Sequence, residues 1–313
     1  MPVSVLFSSR NGKDRLPDLM DSLCGLASPP AGFEVIAVDN ASTDGTAAVL
    51  ERYADRLPLH VLTEPRPGKN VALNRAFDLS RGELLVFVDD DVVLPENFLE
   101  RYRRTAASRS EFDLFGGGIV PRWSRTPDPG ILAEIPLGTA FAITDPATAA
   151  GAVAPNVLYG PNMAVRRRVF DAGLRFDEAV GPNGGSYIMG SETDFLLRAG
   201  RAGHAAWFEP DIVVEHKIRP EQVGPRWLAH RAFIAGRSLL HNQLRKRDGA
   251  LPDLPELAGV PRWAIRKALG AELRALGHRV RPPRAGRFET LWQRFYMRGY
   301  LSEYRAHARR TRG

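Results

Sequence analysis

One cysteine, Cys24, is all the thiol chemistry available in 313 residues. It excludes an intrachain disulfide and a cysteine-built zinc site, and it fits a reducing compartment. Long apolar runs are missing too. None approaches the ~20 residues that span a bilayer, and the opening stretch, Met1 to Phe7, has neither the basic segment nor the apolar length of a secretory signal. The expectation is a cytoplasmic protein. Gly-x4-Gly-Lys-Ser/Thr does not occur, nor does Gly-x-Gly-x-x-Gly, so neither a Walker phosphate loop nor a dinucleotide fingerprint is present. Lysine is scarce: five residues (Lys13, Lys69, Lys217, Lys246, Lys267) among 43 basic ones. There is no internal repeat and no low-complexity tract.

What is present describes a globular chain. Hydrophobic residues make up 44% and charged ones 25%, enough for a sizeable core. The net charge of +7 is unevenly spread. Residues 262–313 hold 14 Lys or Arg against three acids, a local net of +11, which leaves −4 for residues 1–261. Within that tail Phe288, Leu291, Trp292, Phe295, Tyr296 and Tyr300 recur at helical spacing among arginines. Such a helix suits either an anionic membrane surface or packing against the rest of the protein with its arginines solvated. No nucleic-acid motif accompanies the charge.

The first 120 residues alternate short apolar runs with helical patterns. Val3–Phe7, Glu34–Val38, His60–Thr63 and Leu84–Val88 read as buried strands, with helices over Arg15–Ala27, Thr46–Ala54 and Lys69–Leu79 between them. That order predicts an α/β fold with a mostly parallel, Rossmann-like sheet flanked by helices, its ligands beyond the C-terminal strand ends. Residues 121–155 read as loops with one short helix. A glycine-rich loop, Gly181–Gly190, precedes a helix at Glu192–Arg201, and strands are expected at Met163–Val165, Ala205–Glu209 and Ile212–Val214. Three helical patterns follow, Pro225–Arg247, Arg262–Leu276 and Arg287–His307. The division expected is 1–120 for nucleotide binding, 121–224 for the acceptor half of the same domain, and 225–313 as a helical, basic C-terminal extension.

The strongest chemical signal is the strand Leu84–Val88 running into Asp89, Asp90 and Asp91. Three carboxylates at a strand's end are costly unless a cation neutralises them, and Mg²⁺ or Mn²⁺ takes such oxygen ligands while leaving positions for substrate phosphates. In an extended segment Asp89 and Asp91 share a face and Asp90 points away. The alternative is a solvated acidic turn before the helix near Asn97. Asp39 likewise ends a strand, where it can accept hydrogen bonds from a ribose or a base. Asp44 has two readings, ligand contact or cap of the helix from Thr46. Lys69, in Arg66-Pro67-Gly68-Lys69-Asn70, opens a helix whose free N–H groups suit a phosphate.

These pieces, in this order, resemble the family 2 glycosyltransferases of GT-A fold. Val38 to Gly45 matches the family's Val-Asp-Asn-x-Ser-x-Asp-Gly, and Gly68 to Asn74 its next segment. Asp89-Asp90-Asp91 occupies the Asp-x-Asp position. The opening strand departs, with Ser8 for proline and Arg10 for tyrosine. Gly160-Pro161-Asn162-Met163 and Gly190-Ser191-Glu192-Thr193-Asp194 resemble two later motifs, the second with Glu192 where an aspartate base is usual. The resemblance implies a nucleotide-diphosphate-sugar donor contacted by Asp39, Asp44, Lys69, Asn74, Asp89, Asp90 and Asn162. It also implies Mn²⁺ or Mg²⁺ on Asp89, Asp91 and His216, and Glu192 as the base in an inverting transfer. From the residues alone, Ser191 and Asp194 also form a capping sequence, and His216 reads equally well as a hydrogen-bonding histidine. Gln222-Val223-Gly224-Pro225-Arg226-Trp227 is one residue longer than the processive synthases' Gln-x-x-Arg-Trp, which favours single addition. The acceptor expected is a saccharide, a lipid-linked or a small molecule. A non-catalytic sugar-nucleotide binder and a sugar-phosphate nucleotidyltransferase are the alternatives; the glycine-rich loop of the latter is missing after Phe7.

Overall fold

The computed structural model describes residues 1–27, 31–183, 187–247, 249–257, 259–280 and 285–312. It divides into two compact units: Met1–Arg122 with Ala142–Lys217, and Trp123–Phe141 with Ile218–Gly313.

The first unit is built on side-chain alternation in its strands. In β1 (Val3–Ser9), Val3, Val5 and Phe7 enter one apolar cluster and Leu6 the other, so both faces of the sheet are covered. Helices α1 (Leu16–Cys24) and α2 (Thr46–Glu51) cover the first face. They contribute Leu16, Leu19, Met20, Leu23, Val49 and Leu50. Helix α3 (Lys69–Leu79) covers the second with Ala72, Leu73, Ala76 and Phe77. Strands β2 (Phe33–Asn40), β3 (Leu59–Glu64) and β4 (Leu84–Phe87) join β1 in parallel, in the order β3-β2-β1-β4. This is the expected parallel sheet.

Beyond β4 the sheet turns mixed. After β5 (Val92–Val93) and α4 (Phe98–Ser108) comes β6 (Leu114–Trp123), a strand that the apolar pattern did not reveal. Its three consecutive glycines broke that pattern, and a close approach explains one of them. A Cβ on Gly117 would run into the carbonyl of Ile212 and the amide of Asn162. Strands β7 (Gly151–Val153), β8 (Met163–Arg166) and β9 (Ala206–Ile218) complete the sheet, with β8 antiparallel to β4 and β9 antiparallel to β5. The two strands expected at 205–209 and 212–214 are one, continuous through Pro210.

The second unit is mostly helical. Residues 121–155 carry two short helices rather than one, α5 (Pro129–Glu134) and α6 (Leu137–Phe141). In the first unit lie α7 (Arg167–Asp171) and α8 (Ser191–Arg201); in the second, α9 (Pro225–Arg245), β10 (Glu256–Leu257), β11 (Val260–Pro261), α10 (Arg262–Val280) and α11 (Arg287–Arg312). Residues 123–141 and 218–224 thus group with the expected extension. The Glu134 carboxylate accepts the backbone N–H groups of Gly286 and Phe288 where α11 begins, and Phe141 stacks on Trp227 of α9. Of the stripe expected on α11, Phe288, Trp292 and Tyr300 are buried, with Tyr304 beyond them, while Leu291, Phe295 and Tyr296 are half-buried.

Candidate active site

Between β1 and β4 the strand order reverses, since the chain steps outward through β2 and β3 and returns through α3 to the other side of β1. A doubly wound sheet opens a crevice at such a point, beyond the C-terminal strand ends. Ser9 closes β1 there with Asp39 of β2 as its register partner, and β4 runs out at Phe87 just before the three aspartates.

Those aspartates diverge to three different partners. The extended geometry assumed for them ends at Phe87, and Asp90 and Asp91 lie in a turn. Asp90 accepts hydrogen bonds from Ser9 Oγ at 2.5 Å and Arg15 Nη2 at 2.8 Å, which ties the turn to the end of β1. Burial and the neighbouring Asp91 push its carboxyl above the usual range, against the pull of Arg15 and Ser9. Neither Ser9 nor Arg15 was singled out from the sequence, because nothing local marks a residue 75 or more positions from its partner.

Asp89 faces Lys69. The ammonium lies 2.6 Å from Asp89 Oδ1 and 2.5 Å from Glu192 Oε1, bridging the strand-end acid and the first turn of α8. Burial opposes the Lys69 charge, but the two carboxylates outweigh it and hold its pKa above the ordinary lysine value. Asp89 is itself pushed up by burial, with Lys69 pulling it down and Glu192 and Asp91 adding to the rise.

The position of Glu192 follows from its helix and from one glycine. Helix α8 is anchored by Phe195, Leu196 and Ala199 in the core, where Phe195 stacks on Phe170 and Phe176. Gly190, at φ 105°, caps the helix in the left-handed region that glycine tolerates. Its side-chain-free cap replaces the expected capping box: Ser191 is already helical, and Asp194 pairs with Arg198 at 3.0 Å. A Cβ on Gly160 would sit 2.5 Å from the Glu192 carboxyl carbon, so the missing side chain at 160 is the space the carboxylate occupies.

His216 reaches the site through strand register. In the β5–β9 ladder it lies opposite Val92, next to Asp91, and the Lys217 N–H donates to the Asp91 carbonyl. The imidazole Nε2 is 3.2 Å from Asp91 Oδ1. Among the described residues no three His, Cys, Asp or Glu side chains converge to hold a metal by themselves. A carboxylate beside an imidazole still suits Mn²⁺ or Mg²⁺, because such ions take one or two protein ligands and fill the rest with phosphate oxygens and water.

The remaining candidates divide. Asp39 is buried and accepts the Ser42 N–H. Asp44 Oδ1 accepts both the Thr46 N–H and its hydroxyl, and Oδ2 the Lys13 N–H, which fastens residues 10–13 to the start of α2. Asn74 exchanges two hydrogen bonds with the Phe176 backbone, both at 2.9 Å. Asn162 has no exposed surface. It accepts from the Tyr102 hydroxyl and donates to the carbonyls of Gly118 and Ile212, tying the residue before β8 to β6 and β9. Gln222 accepts the Arg219 N–H within its own short helix. The helix start at Lys69, expected to suit a phosphate, is partly used as well, since its N–H donates to the Pro182 carbonyl and that of Gly68 to Asn40 Oδ1.

Residues 4–121 match the family model for glycosyl transferase family 2, the segment holding the crevice and all three aspartates. That segment is similar to family 2 glycosyltransferases. The chain is 28% identical over 237 residues to the succinoglycan biosynthesis protein ExoM of Rhizobium meliloti, covering 72% of this chain and 71% of that one. Among solved structures its fold is similar to that of the mannosyltransferase PcManGT from Pyrobaculum calidifontis, in complex with GDP-Man and Mn²⁺. That match has a TM-score of 0.63 at 21% identity and covers 96% of this chain and 86% of that one. S. aureus TarS 1–349 in complex with UDP-GlcNAc matches with a TM-score of 0.57 at 17% identity, over 100% and 92% of the two chains. Both likenesses support the GT-A fold expected from the sequence.

Proposed function

We propose that this glycosyltransferase moves one sugar from a nucleotide-diphosphate donor to an acceptor hydroxyl by a single inverting displacement. The observation that carries the reading is Lys69, whose ammonium holds Glu192 and Asp89 on either side of one charge. It sets a carboxylate able to take a proton beside the strand ends where a nucleotide diphosphate would lie. The donor complexes of the two structural relatives support a nucleotide-sugar substrate.

Asp39, deep at the end of β2, would accept from the base, and Asp89 from the ribose. Asp91 and His216 would hold Mn²⁺ or Mg²⁺, which when bound supplies positive charge against the diphosphate. The Glu192 carboxylate takes the proton of the acceptor hydroxyl as the hydroxyl oxygen bonds to the anomeric carbon. The bond from that carbon to the diphosphate oxygen breaks, and its electron pair leaves with the nucleoside diphosphate. Lys69 keeps Glu192 oriented and anionic between turnovers. The acceptor is a saccharide, a lipid-linked or a small-molecule hydroxyl.

Thermal shift against a panel of nucleotide sugars, with and without Mn²⁺, identifies the donor through its stabilisation of the folded state. Asp91→Ala should lose the Mn²⁺-dependent part of that shift. Glu192→Gln should keep the shift while transfer falls ~10²–10⁴-fold, the usual contribution of a general base. Unchanged transfer by Glu192→Gln would remove the base assignment, and a parent enzyme stabilised by donor but inactive on every acceptor class would favour the non-catalytic binder.

A further inference from the structure

Eight large apolar side chains are well exposed among the described residues, and four of them lie on one helix: Leu269, Leu273, Leu276 and Val280 of α10, at 59%, 68%, 54% and 89% exposure. At 3.6 residues per turn, positions 269, 273, 276 and 280 fall within an arc of about 60°. The stripe therefore runs straight along the helix. The opposite side is committed to the core, with Ala264 and Ala271 buried, and Ala268 and Ile265, round one edge of the helix, pack on the cluster of Leu240, Met297, Tyr300 and Tyr304.

The surroundings of the stripe are basic. On α10, Arg262 continues its line, Arg266 and Arg279 border it, and Lys267 and Arg274 lie further round the helix; all five are exposed, and Glu272 is the helix's one acid. That acid is already engaged by Arg294 and Arg298 of α11, at 2.7 and 2.6 Å. An apolar ridge of leucines between arginines has no acidic complement of its own. A second copy of the chain meeting this face across a two-fold axis would set Arg262, Arg266 and Arg279 against themselves, a like-charge contact that costs rather than stabilises. A surface of anionic lipid headgroups over an acyl layer matches both features at once.

We propose that α10 lies flat on an anionic lipid surface, its Leu269–Val280 ridge entering the headgroup boundary and its arginines meeting the phosphates. The helix does not cross: none among the described residues is long and apolar enough. The aromatic stripe of α11, the sequence's own candidate for that role, is buried at Phe288, Trp292 and Tyr300, and Tyr300 packs on Trp263 of α10.

Flotation of the full chain with vesicles of phosphatidylcholine alone, or of phosphatidylcholine with one third phosphatidylglycerol, tests this. Binding is expected to the anionic vesicles and to weaken in high salt. The double variant Leu273→Ser/Leu276→Ser should lower the partition coefficient on the order of tenfold, because two of the four inserting side chains are lost. Both positions are exposed, so circular dichroism and thermal melting should be unchanged. Arg266→Glu/Arg279→Glu should abolish the preference for anionic vesicles. Three results would overturn the proposal: no binding by the parent, equal binding to neutral and anionic vesicles, or a parent dimer that the leucine variant converts to monomer without any loss of vesicle binding.

Discussion

At the scale of single residues, the site rests on groups whose identity only their neighbours explain. Gly160 is the sharpest case. Its backbone is of a kind other residues adopt, yet a methyl group there overlaps the Glu192 carboxylate. Gly160→Ala should therefore fold while displacing that carboxylate, and a displacement of about 1 Å is enough to lower turnover ~10²-fold. Single-turnover kinetics with donor affinity measured alongside separates this from a binding defect: kcat falls and the donor dissociation constant does not. Glu192, Lys69, Asp89 and Asp91 were all legible from residue type and motif. Their pairing was not, because Lys69 and Glu192 are 123 positions apart and only α3 and α8 packing on the same sheet face joins them.

Elements carry the next level of constraint. Helices α9 and α11 cross with their backbones almost touching, through a reciprocal pair of glycines: a Cβ on Gly236 would strike the Tyr296 carbonyl, and one on Gly299 the Phe233 carbonyl. Close crossing lets Tyr300 and Tyr304 bury fully beneath α9. Gly299→Ala should force the helices apart and destabilise the C-terminal unit by about 1–3 kcal/mol, the usual cost of overpacking. Chemical denaturation followed by tryptophan fluorescence checks this, with the alanine variant shifted to lower midpoint. The sequence marked the three long helices of this unit, but ended α10 and α11 early at 276 and 307, against Val280 and Arg312. Apolar periodicity fades where a helix end is solvated, so its last turns leave no pattern to read.

At the scale of the whole molecule, the second unit is tied together by carboxylates whose partners are far away in sequence. Glu134 receives the N–H groups at the start of α11, Glu272 of α10 binds Arg294 and Arg298, and Glu303 binds Arg237 and Arg310. Burial works against Glu134 and Glu303, but the N–H groups on the first and the arginines on the second prevail; for Glu272 Arg294 leads. All three pKa values are held below the ordinary carboxylate range. A folded-state pKa below the unfolded one contributes stability above the unfolded value and loses it as pH falls through the folded one. Acidification from neutrality should thus lower the melting temperature of this unit. Glu134→Gln should melt earlier than the parent at pH 7, with the gap closing once both are below the carboxylate range.

Residue order alone determined the parallel half of the sheet, the aspartates at its fourth strand's end and the basic bias of the tail. Each is local information, an apolar period or a cluster of like charges. Tertiary structure decided the rest. It chose a turn over an extended run for Asp89–Asp91, paired His216 with Asp91 through strand register, spent Asn162 on holding strands, and buried one helix's aromatic face while leaving its neighbour's leucines in water. These outcomes depend on which surfaces meet, and contact free energies between segments a hundred residues apart leave no periodic trace along the chain.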